Sequence, residues 1–193
     1  MRKVAVIASA SGCGKTTVGR ALAARLDVPF VELDALNHGA GWVEATPEEL
    51  RARVGPIVAT DGWVIDGGYR EKLGDLVLGA ADTVLWLDLP LREWLPRLLR
   101  RTFVRIVRRE KLWGGNRETF RGAFVGRDAL IPYALRGYRP RQRRYPYELA
   151  GFHVVRLRSQ REVDAWLASV PPTGLNAAEA APPPAPRDPR RGP

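Results

Sequence analysis

The stretch that decides the fold is Ala8-Ser9-Ala10-Ser11-Gly12-Cys13-Gly14-Lys15-Thr16-Thr17. It follows the apolar run Val4–Ala8, which predicts a buried strand, and it precedes a helical pattern from Lys15 to Leu26. Glycines in such a turn let successive backbone N–H groups face a phosphate, and the N-terminus of the next helix adds partial positive charge. The pattern therefore predicts a phosphate-binding loop between a strand and a helix.

The polar residues of this loop have separate predicted roles. Lys15 is placed to reach the β- and γ-phosphates of a nucleotide, and the Thr16 hydroxyl to ligate Mg²⁺. The first glycine of the usual G-x-x-x-x-G-K-[ST] pattern is Ser9 here. The predicted nucleotide-binding residues are Ser9, Ala10, Ser11, Gly12, Cys13, Gly14, Lys15, Thr16 and Thr17. The alternative is an ordinary glycine-rich turn whose lysine is solvated.

Strand-like and helix-like segments alternate along the first 170 residues. Further strands are predicted at 28–33, 63–65, 83–87 and 152–157, and further helices from residue 47, from 91 towards 107, and at 162–170. Thr46 is a predicted helix N-cap, with Glu49 three residues on. Strands separated by helices predict a parallel sheet covered on both faces, which is a three-layer α/β fold.

Composition and charge exclude several classes of protein. The 193 residues are 45% hydrophobic and carry a net charge of +10. The charge is uneven, because residues 1–91 sum to −3 and residues 92–161 to +14, so a uniformly basic, histone-like surface is excluded. One cysteine excludes an intramolecular disulfide framework, and no apolar run approaches the roughly 20 residues of a membrane span. We expect a soluble, cytoplasmic protein without a membrane partner.

The composition changes at about residue 171. Eight of the last 23 residues are proline, and no apolar periodicity remains. Such a segment cannot bury enough apolar surface to offset the entropy lost on ordering. We predict one domain over residues 1–170 and a disordered tail over 171–193.

Several motifs together resemble the adenylate kinase-like P-loop kinases, and most closely the bacterial DNA topology modulation proteins. Besides the phosphate loop they are Val31-Glu32-Leu33-Asp34-Ala35-Leu36, Gly41-Trp42-Val43, Asp61-Gly62-Trp63-Val64-Ile65-Asp66-Gly67-Gly68-Tyr69-Arg70, Leu85-Trp86-Leu87-Asp88-Leu89-Pro90 and Val154-Val155-Arg156-Leu157-Arg158-Ser159. The resemblance covers residues 3–170 in the same order. It implies a P-loop NTPase fold with a small helical lid at about 97–145, and phosphate transfer from ATP with Mg²⁺ to a nucleotide or other small acceptor.

The resemblance also implies roles for individual residues. Asp66 would hold a water of the Mg²⁺ shell, and Gly67 and Arg70 would lie in the acceptor site, with Arg70 on an acceptor phosphate. Asp34 would orient or deprotonate the acceptor hydroxyl. The implied catalytic residues are Lys15, Asp34 and the lid arginines Arg101 and Arg105, and Arg158 would pass the adenine.

The residues themselves leave alternatives open. A strand-end aspartate such as Asp34, Asp66 or Asp88 either serves a ligand or caps the next helix, and Pro90 favours a capping turn at Asp88. An arginine stripe is often only a solvated helix face. Trp42 and Trp63 are predicted to be core residues, and His38 lies either in the acceptor pocket or in a surface loop.

Two functions of different class follow. The first is an ATP-dependent phosphotransferase that acts on a small molecule. The second is a nucleotide-binding regulator of DNA topology or of a protein, which would bind weakly to nucleic acid through the basic segment 92–161.

Overall fold

The predicted alternation of strands and helices is present in the computed structural model, which describes residues 1–173. The strands are β1 (Lys3–Ala8), β2 (Phe30–Glu32), β3 (Trp63–Asp66), β4 (Thr83–Leu87) and β5 (Val154–Leu157). The helices are α1 (Lys15–Leu26), α2 (Leu33–Asn37), α3 (Pro47–Val58), α4 (Arg70–Leu73), α5 (Leu91–Arg108), α6 (Phe120–Phe124), α7 (Leu130–Glu148) and α8 (Gln160–Ser169). Two 3₁₀ turns lie at Ala40–Trp42 and Trp113–Gly115.

The five strands form one parallel sheet in the order β2-β3-β1-β4-β5. β1 lies at the centre, and its residues Val4, Ala5 and Val6 are wholly buried because the strand has neighbours on both edges and helices on both faces. The chain leaves β1 and β3 at the same edge of the sheet, where the phosphate loop follows β1. In parallel sheets this carboxyl edge forms the ligand crevice.

Each face of the sheet is covered by its own apolar core. On one face Leu22, Trp94 and Leu98 pack with α7 and α8, and on the other Leu50 and Trp63 pack with the end of α4. The sheet between two helical layers confirms the predicted three-layer α/β fold. The predicted N-cap also holds, because the Thr46 hydroxyl accepts the Glu49 N–H at 3.2 Å.

Two parts of the fold differ from the sequence prediction. β2 ends at Glu32, so the chain enters α2 before Asp34 and that residue is not a strand-end residue. Helix α7 was not predicted, because Pro140 and Pro146 lie inside it and proline removes a helical hydrogen bond. Packing outweighs that cost, since the helix buries Ile131 and Ala134 in the core.

The predicted tail lies outside the described residues from 174 onward. Of its first three residues, Thr173 donates its backbone N–H to the Arg25 carbonyl at 2.7 Å, at the end of α1. No helix in residues 1–173 combines the length and apolar character that crossing a membrane requires.

The two glycines of the phosphate loop give a test of loop packing. Both have positive φ, +87° at Gly12 and +86° at Gly14, but a Cβ at Gly12 would lie 2.7 Å from the Trp94 carbonyl oxygen, whereas one at Gly14 would meet open space. We expect Gly14→Ala to lower the free energy of unfolding by about 1–2 kcal/mol through backbone strain. Gly12→Ala should lower it by a further ~1–3 kcal/mol through overpacking.

Urea denaturation of the ligand-free variants measures this difference. Equal losses for the two variants would contradict the packing of the loop against α5.

Candidate functional site

The phosphate loop joins β1 to α1 with a backbone shape that glycine permits. Gly12 and Gly14 both take left-handed conformations, and Gly14 is the N-cap of α1. The Gly14 carbonyl accepts the Val18 N–H at 3.0 Å, so the helix begins directly after the loop. An anion over this loop would meet both backbone N–H groups and the helix N-terminus.

Lys15 and Thr16 are both held against Asp66. The Lys15 ammonium lies 3.5 Å from Asp66 Oδ1, and the Thr16 hydroxyl donates to Asp66 Oδ2 at 2.7 Å. Burial lowers the pKa of Lys15, but the negative charges of Asp66 and Asp34 outweigh it and raise the pKa overall. The lysine is therefore held in its charged form, as phosphate binding requires.

Sequence reasoning missed Glu32 as a site residue. It lies opposite Asp66 in the β2–β3 register, and its Oε1 is 3.3 Å from the Thr16 hydroxyl. Burial raises the pKa of Glu32, and the charges of Asp66 and Asp34 raise it further. Its place at the end of a strand beside that of Asp66 is the signal that would have identified it.

These oxygens suit a hard divalent cation. A hydroxyl and two carboxylates match the ligands that Mg²⁺ prefers, and a cation would offset the burial and the charges of Asp66 and Asp34 that raise the pKa of Glu32. Among residues 1–173, however, no group of three or more His, Cys, Asp or Glu side chains is placed to hold a metal ion. A cation here would need further ligands from a nucleotide or from water.

Asp34 lies in the first turn of α2, close enough to interact electrostatically with Lys15. The Tyr69 hydroxyl donates to its Oδ1 at 2.6 Å. Burial raises the pKa of Tyr69, and the charge of Asp34 raises it further, so the phenol keeps its proton. No local pattern indicates this contact, because the two residues are 35 positions apart.

The two other predicted acceptor-site residues have partners within the protein. Arg70 forms an ion pair with Asp75 at 2.7 Å and donates to the Glu148 carbonyl at 2.9 Å. Gly67 has a φ of +139°, and a Cβ there would lie 2.8 Å from the Leu33 side chain. Contact of Arg70 with an acceptor phosphate would require it to leave Asp75.

The two lid arginines predicted as catalytic differ in their surroundings. Arg101 is exposed on α5, and partial desolvation lowers its pKa, as does the charge of Arg105. The charges of Glu118, Asp34 and Glu32 act in the opposite direction. Arg105 forms an ion pair with Glu118 at 3.0 Å. The site carboxylates Asp34 and Glu32 thus act electrostatically on Arg101, and the catalytic roles of both arginines stay predictions.

The predicted adenine-side residue, Arg158, is exposed just after β5. Its backbone N–H donates to Glu162 at 2.7 Å. The structure therefore places Arg158 at the carboxyl edge of the sheet, and its contact with adenine stays a prediction.

Ser9, at the position of the usual first glycine, connects the phosphate loop to its neighbours through hydrogen bonds. Its hydroxyl is wholly buried, donates to Asp88 Oδ1 at 2.6 Å and accepts the Trp86 indole N–H at 2.9 Å. Asp88 also accepts hydrogen bonds from Gln142 at 2.7 Å and from Arg156 at 3.0 Å. Asp88 therefore connects the phosphate loop to α7 and β5 through hydrogen bonds. The prediction that it forms a capping turn was wrong.

The unpredicted helix α7 covers the phosphate loop. Tyr138, Arg141, Gln142 and Tyr145 recur at the spacing of one helix face. Arg141 lies 3.5 Å from the Ser9 carbonyl, and Tyr145 interacts electrostatically with Lys15. That spacing is the signal that would have identified the helix.

One comparison with known proteins matches a segment that begins in the phosphate loop. Residues 11–39 match the family model of shikimate kinase. Similar solved structures include shikimate kinase from Bacteroides thetaiotaomicron, at 16% identity and a TM-score of 0.49, covering 87% of this chain and 95% of that chain. A gluconokinase from Sinorhizobium meliloti 1021 has 20% identity and a TM-score of 0.49, covering 86% and 91%. A search of curated proteins found no match.

The matched segment runs from the phosphate loop through α1 and β2 to α2. It therefore includes Lys15, Thr16, Glu32 and Asp34. The resemblance to DNA topology modulation proteins stays a prediction.

The Ser9 network gives a matched test of loop anchoring. Ser9→Ala removes a buried hydroxyl and leaves the Trp86 N–H without its acceptor, so the free energy of unfolding should fall by about 1–3 kcal/mol. Ser11→Ala in the same loop should change it by less than ~0.5 kcal/mol, because Ser11 is only half-buried. Thermal and urea unfolding measure both; a Ser9→Ala loss no larger than that of Ser11→Ala would refute the anchoring role.

Proposed function

We propose that the protein transfers the γ-phosphoryl group of MgATP to a hydroxyl of a small molecule. The observation that carries this proposal is a single cluster in which Lys15 and Thr16 contact Asp66 while Asp34 lies close to Lys15. A phosphate-binding group, oxygen ligands for a cation and a carboxylate for the acceptor are the components that phosphoryl transfer needs. The match of residues 11–39 to the shikimate kinase model supports the same class of reaction.

The nucleotide phosphates would lie over the loop and the N-terminus of α1. The Lys15 ammonium would contact the β- and γ-phosphates, and the Thr16 hydroxyl would turn from Asp66 to the metal. Asp66 and Glu32 would hold the water shell of Mg²⁺, and the bound ion would neutralise charge that develops on the phosphates.

The acceptor would approach the γ-phosphate from the side of Asp34. Its hydroxyl oxygen forms a bond to the γ-phosphorus, the bond from that phosphorus to the bridging β–γ oxygen breaks, and ADP leaves. The hydroxyl proton passes to the Asp34 carboxylate. Arg101, on which the charge of Asp34 acts, would stabilise charge on the transferring group.

We favour this function over the regulator because several arginines of the basic segment are bound within the protein. Arg105 is paired with Glu118, Arg156 with Asp88 and Arg144 with Glu148. Glu118 and Glu148 are already counted in the net charge of residues 92–161, whereas Asp88 lies outside that segment. The pair of Arg156 with Asp88 therefore removes one further positive charge from the surface left for nucleic acid.

Nucleotide binding should depend on Lys15. We expect Lys15→Ala to weaken MgATP binding at least about tenfold, because a half-buried ammonium that would contact phosphate is lost. Arg51→Ala, which removes one positive charge from an exposed position on α3, is the matched control and should keep wild-type affinity. Calorimetric titration of MgATP into the folded variants checks this; wild-type affinity in Lys15→Ala would exclude the loop as the phosphate site.

Transfer itself should depend on Asp34. With gluconate, shikimate and glycerol as an initial panel, the wild-type chain should release ADP faster in the presence of an acceptor than with buffer or duplex DNA alone. We expect Asp34→Asn to reduce this acceptor-dependent rate by about 10²–10⁴-fold without weakening MgATP binding. Asp61→Asn, at an exposed loop position, is the control. Wild-type transfer rates in Asp34→Asn would contradict the role of this carboxylate.

Two results together would favour the regulator instead. The wild-type chain would bind duplex DNA in a salt-sensitive way, and it would release no ADP with any acceptor in a broader panel of sugars, polyols and nucleosides.

A further inference from the structure

The Tyr69 hydroxyl lies at the centre of a hydrogen-bonded group beside Asp34. It is 2.6 Å from Asp34 Oδ1, 3.2 Å from His38 Nε2 and 3.5 Å from Asn37 Nδ2. Asp34, Asn37 and His38 come from α2 and its end, whereas Tyr69 follows β3. Two elements that flank the ligand edge are therefore joined through a single phenol.

The chemistry of these groups fixes the direction of the hydrogen bonds. An ionised carboxylate only accepts, so the Tyr69 hydroxyl donates to Asp34. The phenol oxygen then accepts from His38 Nε2–H, which assigns a proton to Nε2. Since Tyr69 holds Oδ1, the other carboxylate oxygen, Oδ2, is left for an acceptor hydroxyl.

The lid holds the outer end of this chain of hydrogen bonds. The His38 ring stacks on Trp113 with ring centroids 6.0 Å apart, and the edge of Trp42 approaches it at 5.6 Å. The prediction that Trp42 is a core residue was wrong: its side chain is 41% exposed and contacts the His38 ring. Imidazole orientation therefore depends on side chains from two loops.

Asn116 connects the loop of residues 112–116 to the loop of residues 38–42 through hydrogen bonds. Its side-chain amide donates to the Gly39 carbonyl at 2.7 Å and accepts the Trp42 backbone N–H at 3.1 Å. Gly114 fits against Gly39 so closely that a Cβ would lie 2.6 Å from the Gly39 carbonyl oxygen. Docking of residues 112–116 thus fixes the loop that carries His38.

We propose that Tyr69 is the positioning residue of Asp34, that His38 orients the Tyr69 hydroxyl, and that the docked lid loop 112–116 holds His38 in place. The proposal rests on the proposed function, because it assigns to Asp34 the acceptor hydroxyl. It adds a physical link between closure of the lid and orientation of the carboxylate. Transfer is then fastest when the lid loop is docked, which limits loss of phosphate to water in the open protein.

A double-mutant cycle between Tyr69 and Asp34 tests this link. Phosphate transfer from MgATP is measured with water and with each panel acceptor for wild type, Tyr69→Phe, Asp34→Asn and the double variant. We expect Tyr69→Phe to lower kcat about 10–100-fold, since misplacement of a reacting group has effects of this size, and to leave the KM for MgATP within about twofold. In the Asp34→Asn background the same change should cost less than about twofold, because a residue that acts through Asp34 has no effect once Asp34 is lost.

Two further variants separate positioning from simple stability. His38→Gln keeps an N–H donor near the position of Nε2 and should retain more activity than His38→Leu, with both folded by circular dichroism. Tyr147→Phe is the control for loss of a phenol, because Tyr147 is 85% exposed on α7. If the decreases in kcat for Tyr69→Phe and Asp34→Asn multiply in the double variant, this proposal is overturned and the proposed function stands. Absence of any transfer by the wild-type chain would overturn it together with the proposed function.

Discussion

Like charges collected at one edge of a parallel sheet are the constraint on which the rest of the site depends. Glu32 and Asp66 end neighbouring strands opposite each other, and Asp34 follows two residues after Glu32. Burial raises the pKa of Glu32, and the charges of Asp66 and Asp34 raise it further; the attraction of the same two charges for the ammonium holds Lys15 in its charged form. A site with this excess of negative charge beside one half-buried ammonium is stabilised by a further cation.

The remaining structure serves to hold this cluster against the phosphate loop. β1, buried on both faces, fixes where the loop begins, and the Ser9–Asp88 contact fixes its first turn to β4. Arg156 completes the network from β5 and lies 4.1 Å over the Trp86 ring. Because every member of this buried network has a partner, it favours one arrangement of the loop over others.

Residues 112–116 add a second connection, made from the side of Asp34. They contact the loop that carries His38, while the charges of Asp34 and Glu32 act on Arg101 of α5. Under the proposed function, this part of the chain would lie beside both the transferring phosphate and the carboxylate that receives the proton. Its docking would then complete both groups together and favour transfer to an organic hydroxyl over hydrolysis.

Local patterns predicted the parts of the fold and site that depend on local sequence. The glycines, Lys15 and Thr16 have fixed spacing, and Asp66 follows an apolar run, so both were recognised without a structure. Asp88 follows a similar run but is bound by Arg156, 68 positions away, and no local pattern indicates that contact. Likewise, the contact of Tyr69 with Asp34 exists only once β2 and β3 pair.

The dependence of ATP binding on Mg²⁺ tests the central claim most directly. Calorimetric titration of ATP into the wild-type chain, with Mg²⁺ and then with a chelator, measures whether the carboxylate cluster binds nucleotide through a cation. We expect the affinity for ATP to fall at least about tenfold without Mg²⁺, because the γ-phosphate would then face Glu32 and Asp66 directly. Asp66→Asn should reduce this difference. Equal affinity with and without Mg²⁺ would contradict the central claim.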